Sequence, residues 1–505
     1  MSAPSPSVPA TPARAPLFGR RRIALSTPQL MQFGLALLVA AMVLFCSVGG
    51  FVFSGARQRV QTIGHDTAPS VVAAQQIRAH LANLDASAAN AALTRGPAQL
   101  QAWKDYAAEQ TSLSDFLISA AQNITYGDAE RKPILSIITG IQKYADLVGR
   151  ARALLDVADP KPSTIADSAL TLIAEANALL DTELLPAAGR LNDANETALN
   201  ETWAGCKNML GWETLGFIAA ALPALALLLV LQGWIARRTH RLINPGLLAA
   251  TLLMTVALLW GVFDHEASAA ALTSAKQDAF DSVRAVWNSR AIATSANADE
   301  SYFLLFPGSR QAYASAFQIK LMALADKEFL TKASRQRYLE QSVLPFQRRG
   351  CIKDQPQDKS QDKSQDKPQD KPQDKRYAFG GLLGTELLNV TFSGECSAAG
   401  NAFKRLADYL EIDARIRELE AAGQHDTAIA LNVGVKPGDS NFAFAQFDQA
   451  LGRIIEINQT AFESSIGQAE GRLAPLPWIV AVGGALTLLL AFLGLRPRLN
   501  EYRFG

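Results

Sequence analysis

The chain has 505 residues, of which 49% are hydrophobic and 19% charged, and its formal net charge is +1. A net charge this close to zero excludes a strongly basic, nucleic-acid-binding protein. The positions of the apolar residues are more informative. Four runs carry no charged residue: Leu30–Phe53, Leu215–Ile235, Leu242–Phe263 and Leu476–Leu495. Because a helix needs roughly 20 apolar residues to cross the bilayer core, each run predicts a transmembrane helix.

The charge distribution predicts which side of the membrane each segment occupies. The short segments outside the runs are residues 1–29, 236–241 and 496–505. They hold ten arginines and a single acid, Glu501, whereas the two large blocks, residues 54–214 and 264–475, carry a net charge of −8. Short basic loops stay in the cytoplasm. We therefore expect a multi-pass protein of the plasma (inner) membrane of a bacterium, with both termini cytoplasmic and both blocks outside.

Two features run against this interpretation of the first run, and neither overturns it. Arg57 and Arg59 lie on its outer side, but the three short segments agree with one another and outweigh them. The run could alternatively be a cleaved signal peptide. Its 24 residues exceed a usual signal core, and no clean small-residue cleavage site follows, so we favour an uncleaved anchor.

The periodicity of both blocks predicts helices. Apolar residues recur at steps of three and four, as in helices packed nearly parallel, and strand signals are scarce. In the first block the stripes are Ile134, Ile138, Ile141, Ala145 and Val148, then Leu170, Ile173, Leu180 and Leu184, interrupted by Asn177 and stopped near Pro186. In the second block one face comprises Phe444, Phe447, Leu451, Ile454, Asn458 and Ala461. The predicted fold class is an all-α membrane protein with four transmembrane helices and two extracytoplasmic domains like four-helix bundles.

The two blocks share short segments that predict an internal duplication. Three pairs match at offsets of 206, 207 and 210: Ile77-Arg78-Ala79 with Val283-Arg284-Ala285, Ala89-Asn90-Ala91 with Ala296-Asn297-Ala298, and Gln101-Ala102-Trp103 with Gln311-Ala312-Tyr313. Chance similarity between alanine-rich helices is the alternative. A duplication would place two copies of one span–bundle–span unit side by side in a single chain.

A repeat of Gln-Asp-Lys with Ser or Pro, residues 357–375, has no apolar side chain, and each Asp is matched by a Lys. This composition predicts a disordered spacer. Cys351 and Cys396 lie on either side of the repeat, in the block that is expected to face an oxidising compartment. The two cysteines are therefore candidates for a disulfide, and two free thiols are the alternative.

The sequence carries no pattern of an enzyme. We find no nucleotide-binding loop, nucleophile elbow or zinc spacing, and no histidine pair at i and i+4. We therefore expect no catalytic activity, no cofactor and no metal site. The runs hold no ionisable residue, which argues against ion or proton transport by this chain alone. The apolar fragment Gly380–Gly384 predicts a turn that opens a helix rather than a phosphate site.

Two sets of arginines are the candidate functional residues. A guanidinium can clamp a carboxylate through two hydrogen bonds, as an amino-acid sensor requires. The candidates for this role, on the first outer helix of each block, are Arg78, Arg284 and Arg290. The alternative is that these arginines are solvated and cover helix faces. The second set, in the short inner loop and expected to contact a cytoplasmic partner or membrane lipid, comprises Arg237, Arg238 and Arg241.

Segments of the second block carry a family resemblance. They are Leu387–Glu395, with Ser393 where proline is expected, then Gly423–Leu431, and Gly438–Phe444 continued by Phe447-Asp448. Together with the four-span plan, these segments resemble actinobacterial four-span membrane proteins of the GlnX family. The Gln-Asp-Lys repeat and Cys396 look like additions of this chain.

The resemblance implies a relay across the membrane. GlnX-like proteins are the transmembrane partners of a glutamate/aspartate-binding lipoprotein and of the soluble serine/threonine kinase G. The resemblance therefore implies that a lipoprotein senses amino acid outside, the four-span protein carries the signal, and a kinase or adaptor acts inside. It supplies no ligand-binding residues for this chain. The alternative function is a structural or accessory subunit of a transporter or envelope complex, with no signalling role.

Overall fold

The computed structural model describes residues 27–125, 127–157, 167–239, 244–350 and 379–501. Nearly all of them are helical, and no strand occurs in these ranges, which confirms the all-α fold class. Four helices are long and apolar enough to span a membrane, as the four runs predict. The Gln-Asp-Lys repeat lies outside the described residues.

The first half of the chain contributes the long helices that carry the first two runs. Its helices are α1 (Thr27–Gln61), α2 (Ala68–Leu93), α3 (Pro97–Gln122), α4 (Asp128–Val157), α5 (Asp167–Leu179) and α6 (Leu185–Thr239). Two π-helical turns join neighbours without a break in the helical path: Thr62–Thr67 between α1 and α2, and Leu180–Leu184 between α5 and α6.

The second half repeats this pattern with more short helices. Its long helices are α7 (Pro245–Thr273), α8 (Asp281–Leu305), α9 (Arg310–Leu324), α14 (Glu395–Ala421), α16 (Ser440–Leu473) and α17 (Leu476–Glu501). The short ones are α10 (Lys327–Leu330), α11 (Lys332–Tyr338), α12 (Leu344–Gly350), α13 (Gly381–Leu388) and α15 (His425–Val433). The π-helical turn Ser274–Phe280 precedes α8, just as Thr62–Thr67 precedes α2. The duplication itself stays a prediction.

The chain forms two compact units. The span unit comprises the described parts of Met1–Gly50, Gly216–Gly261 and Trp478–Gly505. The bundle unit comprises the described parts of Phe51–Leu215 and Val262–Pro477, so both predicted blocks contribute to it.

Small residues set the helix packing within the span unit. A Cβ added to Gly246 of α7 would lie 2.6 Å from the Cα of Gly494 in α17, so the two backbones are in direct contact. Asn244 fixes this crossing, because its Nδ2 donates to Gly494 O (2.8 Å) while its Oδ1 accepts from Gly246 N (3.1 Å). Large side chains such as Phe33 and Leu252 are exposed. Close contacts between small residues and an apolar exterior are typical of helices packed in lipid.

The pairing of α2 with α8 lies at the centre of the bundle unit. Helix α2 is rich in fully buried alanines, among them Ala88, Ala89 and Ala92, and such small side chains let neighbouring helices approach closely. Asp85 of α2 is also buried there and accepts hydrogen bonds from Tyr302 of α8 (2.8 Å) and Tyr144 of α4 (2.9 Å). One core cluster therefore joins helices of both blocks.

Two details of the predicted periodicity are wrong. Ile134 and Val148 of the predicted α4 stripe are buried, but Ile138 is 36% exposed and the neighbouring Ile137 is fully buried in its place. A period of 3.6 residues leaves adjacent apolar positions ambiguous, which explains the difference. The helical path also does not stop at Pro186. The π-helical turn just before it changes the hydrogen-bond register, and Pro186 then lies in the first turn of α6, where its missing N–H costs little.

Two helices begin at or just after a glycine with a positive φ, and the one at Gly381 confirms the turn predicted for Gly380–Gly384. Gly438 has a positive φ of 100°, and α16 begins two residues later at Ser440 with Asp439 as its N-cap residue. Gly381 has a φ of 72° and opens α13. A Cβ there would lie 2.5 Å from backbone atoms of Leu324, so this tight approach also requires glycine.

Of the two cysteines in the second block, the structure describes Cys396 but not Cys351. Cys396 is fully buried in α14 and is disulfide-bonded. Cys351 lies outside the described residues, so its pairing with Cys396 stays a prediction.

Candidate functional site

An open cleft of about 770 Å³ lies in the bundle unit between α2, α6, α8 and α13. Both Arg78 of α2 and Arg284 of α8 line it. The sequence placed these arginines at matching positions of the two blocks, and the packing of α2 against α8 brings them to one cavity. The volume is within the usual range for sites that bind small molecules.

Arg78 carries a positive charge that has no carboxylate partner in contact. Its Nη1 donates to Asn288 Oδ1 (2.7 Å), and no ion pair to Arg78 occurs among the described residues. Burial lowers the pKa of Arg78, and the negative charge of Asp193 opposes that shift. Asp193 of α6 is exposed and also lines the cleft. The cleft therefore contains a positive and a negative group that interact without forming a salt bridge.

Arg284 is paired and links the two blocks. Its Nη1 donates to Glu196 Oε2 (2.8 Å), which joins α8 to α6. Asn192 Nδ2 donates to Glu196 Oε1 (3.0 Å), and Gln75 Nε2 donates to Asn192 Oδ1 (2.7 Å). This chain of hydrogen bonds crosses the cleft from α8 through α6 to α2.

A pair of buried carboxyl groups borders the cleft. Glu386 of α13 lines the cleft and is 2% exposed, and Glu395 of α14 is fully buried. Burial, with the negative charge of Glu395 as the next cause, raises the pKa of Glu386 to about 8. Glu395 is held as an acceptor, because its Oε2 takes hydrogen bonds from Thr391 N (2.7 Å) and Phe392 N (3.0 Å). Burial and the neighbouring carboxylate therefore both favour the protonated form of Glu386.

Arg290 lies apart from this cleft. Its Nε and Nη2 donate to the two carboxylate oxygens of Asp448 (2.5 and 2.6 Å), and its guanidinium stacks over Trp287. Asp448 neutralises the charge of Arg290, and the bidentate pair fastens α8 to α16. The structure thus brings two of the three predicted arginines together and gives the third a structural partner.

The inner-loop arginines are described only in part. Arg237 and Arg238 are exposed in the last turn of α6. Arg241 lies outside the described residues. Basic residues in the last turn of a helix are stabilised by the negative end of the helix dipole.

Sequence reasoning missed a polar network close to the ends of the apolar runs. Arg59 of α1 forms an ion pair with Glu213 of α6. Thr214 bonds His265 Nδ1 of α7 (3.0 Å), and burial lowers the pKa of His265. Arg472 of α16 pairs with Asp264 of α7 (3.1 Å). Arg59 was the signal in the sequence. It lies on the outer side of the first run, against the charge rule, which indicates an acidic partner near the outer end of another run.

Comparison with known proteins supports a sensor-type protein. Residues 59–204 match the family model described as the actinobacterial sensor domain. The matched segment includes Gln75, Arg78 and Glu196 of the cleft, whereas Arg284 comes from the other half of the chain. No curated protein and no solved structure matches the chain.

Proposed function

We propose that the chain is a transmembrane sensor that relays an event at the bundle unit, outside the cytoplasm, to a soluble partner inside. In this proposal the outer partner is a solute-binding lipoprotein and the inner partner is a serine/threonine kinase or an adaptor. The sensor-domain match supports the sensing role. The GlnX resemblance of the second block supports the choice of partners.

The single observation that carries the proposal is the course of α6. This helix runs from Leu185 to Thr239 and holds cleft residues Asp193 and Glu196 near its start. It then includes an apolar run and ends with Arg237 and Arg238 in its last turn. A small shift or rotation of one continuous helix is an established means of passing a signal between distant sites.

The hydrogen bonds of α6 in the cleft provide a way for a bound ligand or partner to shift this helix. Glu196 bonds Arg284 of α8 and Asn192 of its own helix, and Asn192 in turn accepts from Gln75 of α2. A ligand or partner that competes for these groups favours one arrangement of α6 over another. Such a shift requires the ligand or partner to bind the two arrangements of α6 with different affinities. A tenfold difference in affinity corresponds to a free-energy difference of about 1.4 kcal/mol.

The experiment is recovery of the kinase on membranes that contain the full-length protein. We compare wild type with a variant carrying Arg237→Lys, Arg238→Lys and Arg241→Lys. Lysine keeps the positive charge that holds the loop inside but cannot make the planar two-point contact of arginine. We expect the wild type to retain the kinase or its adaptor and the triple variant to retain several-fold less.

The matched control applies the same change at exposed arginines of the bundle unit, with Arg150→Lys and Arg453→Lys. Both residues are about three-fifths exposed and pair only along their own helices. This control should retain as much kinase as the wild type. If neither wild type nor control recovers any soluble kinase or adaptor, the relay is wrong and the accessory-subunit function replaces it.

A further inference from the structure

The cleft holds two opposite charges that the protein does not bring together. Arg78 contacts only the amide oxygen of Asn288, and the carboxylate of Asp193 has no ion pair within the part of the chain that the structure describes. The other charges of the cleft are already matched, Arg284 by Glu196 and Asp281 by Lys276 (3.1 Å). A ligand that satisfies both free charges must carry a negative and a positive group.

Gln75 supplies a second and independent observation. Its side chain is 98% buried, its Nε2 donates to Asn192, and its Oε1 has no hydrogen-bond partner among the described residues. Gln75 lies three residues before Arg78 on α2, so both side chains lie on the same face of the helix. A buried acceptor without a donor costs roughly 1–3 kcal/mol. Gln75 lines the cleft beside Arg78, and an N–H group of a ligand that reaches this buried oxygen would satisfy it.

We propose that the cleft binds a small zwitterion of the α-amino-acid type directly. The ligand carboxylate pairs with Arg78, and the ligand ammonium donates to Gln75 Oε1 and faces Asp193. This inference rests on the proposed sensing role of the bundle unit and goes beyond it, because it gives this chain a ligand of its own in addition to a lipoprotein partner.

The residues that line the cleft narrow the range of suitable ligands further. Four other amide side chains face it: Asn192, Gln277, Asn288 and Asn389. These groups suit a neutral polar side chain, whereas an acidic side chain would meet Asp193, Glu196 and Asp281. None of the described residues that line the cleft is aromatic, and aromatic rings are the usual recognition element for quaternary ammonium groups. L-glutamine and L-asparagine are therefore the preferred probes, and glycine betaine is a poor fit.

The test is titration calorimetry of the full-length protein in lipid nanodiscs with L-glutamine and L-asparagine. Glutaramate, which is L-glutamine without the ammonium, and 4-aminobutanamide, which is L-glutamine without the carboxylate, test the two charges separately. We expect saturable binding of at least one amino acid and at least tenfold weaker binding of both single-charge probes and of glycine betaine. No binding of either amino acid, or binding of glutaramate or 4-aminobutanamide as tightly as L-glutamine, would overturn the proposal.

Single-residue variants test whether the amino acid binds in this cleft. Arg78→Gln removes the guanidinium, and loss of a hydrogen bond to a charged group is expected to weaken binding roughly tenfold or more. The matched control is Arg405→Gln, because Arg405 lines a separate cleft beside Arg290 and pairs weakly with Asp408 (3.5 Å). Equal affinity of the two variants would overturn the assignment. Thermal melting of both variants checks that they fold, and Gln75→Leu provides a second variant if Arg78→Gln does not.

Failure of this inference is distinguishable from failure of the relay. If no amino acid binds, yet the membrane protein still retains its kinase through the inner-loop arginines, the relay stands without a direct ligand. If an amino acid binds at Arg78 and no soluble partner is recovered, the cleft is a ligand site of a protein that does not relay.

Discussion

At the residue scale, Asp85 connects four helices through one side chain. Its carboxylate accepts from Tyr144 of α4, Tyr302 of α8 and Asn177 of α5. Burial raises the pKa of Asp85 to about 6, and the three donors oppose that shift. The interposed asparagine of the α5 stripe, Asn177, therefore has a partner in the core. From the sequence it was only an interruption.

Replacing Asp85 tests this network. Asp85→Leu leaves three buried donors without an acceptor, and each such group costs roughly 1–3 kcal/mol. We expect a drop in the free energy of unfolding on the order of 3 kcal/mol or more, measured by denaturant unfolding of the full-length protein. Asp85→Asn keeps one acceptor oxygen at the same place and should cost clearly less. Equal losses for the two variants would contradict the account.

The buried carboxyls also predict how stability depends on pH. Burial raises the pKa of Glu386 and of Glu300 to about 8, so the folded state holds protons that the unfolded state, with a glutamate pKa near 4.5, releases. Their stabilising contribution is complete below pH 4.5 and is lost as the pH rises to about 8. We expect the melting temperature to fall between pH 6 and pH 8. Glu386→Gln should make that fall smaller, whereas Glu463→Gln, at an exposed site, should leave it unchanged.

At the scale of elements, the sequence predicted which helices exist better than which helices touch. Uncharged runs, the Gly438–Ser440 turn and the Gly381 turn are local signals, and the structure has a helix or helix start at each. Partner choice depends on residues far apart in sequence. From the sequence, Arg290 was a candidate carboxylate clamp or a solvated arginine, because its partner Asp448 lies 158 residues away along the chain. The Arg59–Glu213 pair was missed for the same reason.

The crossing of α7 and α17 is an element whose packing can be tested with a matched pair. Gly246→Leu puts a side chain where the backbone of α17 lies, and overpacking costs typically 1–3 kcal/mol. Gly233→Leu makes the same change on α6, where a Cβ meets no atom within 4 Å. We expect Gly246→Leu to lower the melting temperature of the detergent-solubilised protein and Gly233→Leu to have little effect. The reverse order would show that α7 and α17 do not cross at Gly246.

At the scale of the whole molecule, the relay requires the bundle unit and the inner loop to lie on opposite sides of the membrane. The short basic segments predict that the inner loop lies in the cytoplasm and the bundle unit outside. We expect alkaline phosphatase to be active when fused after residue 150 or 350, because the enzyme needs an oxidising compartment. Fusions after Arg238 or Gly505 should be inactive. Activity at either of the latter positions would contradict the proposed orientation.

The central claim is that an event in the cleft reaches the far end of α6. Hydrogen–deuterium exchange of the full-length protein in nanodiscs tests it directly, with and without the lipoprotein partner or L-glutamine. The account predicts altered exchange both at the cleft helices α2 and α8 and at the last turn of α6, around Arg237 and Arg238. A response confined to the cleft, or no response at all, would contradict it.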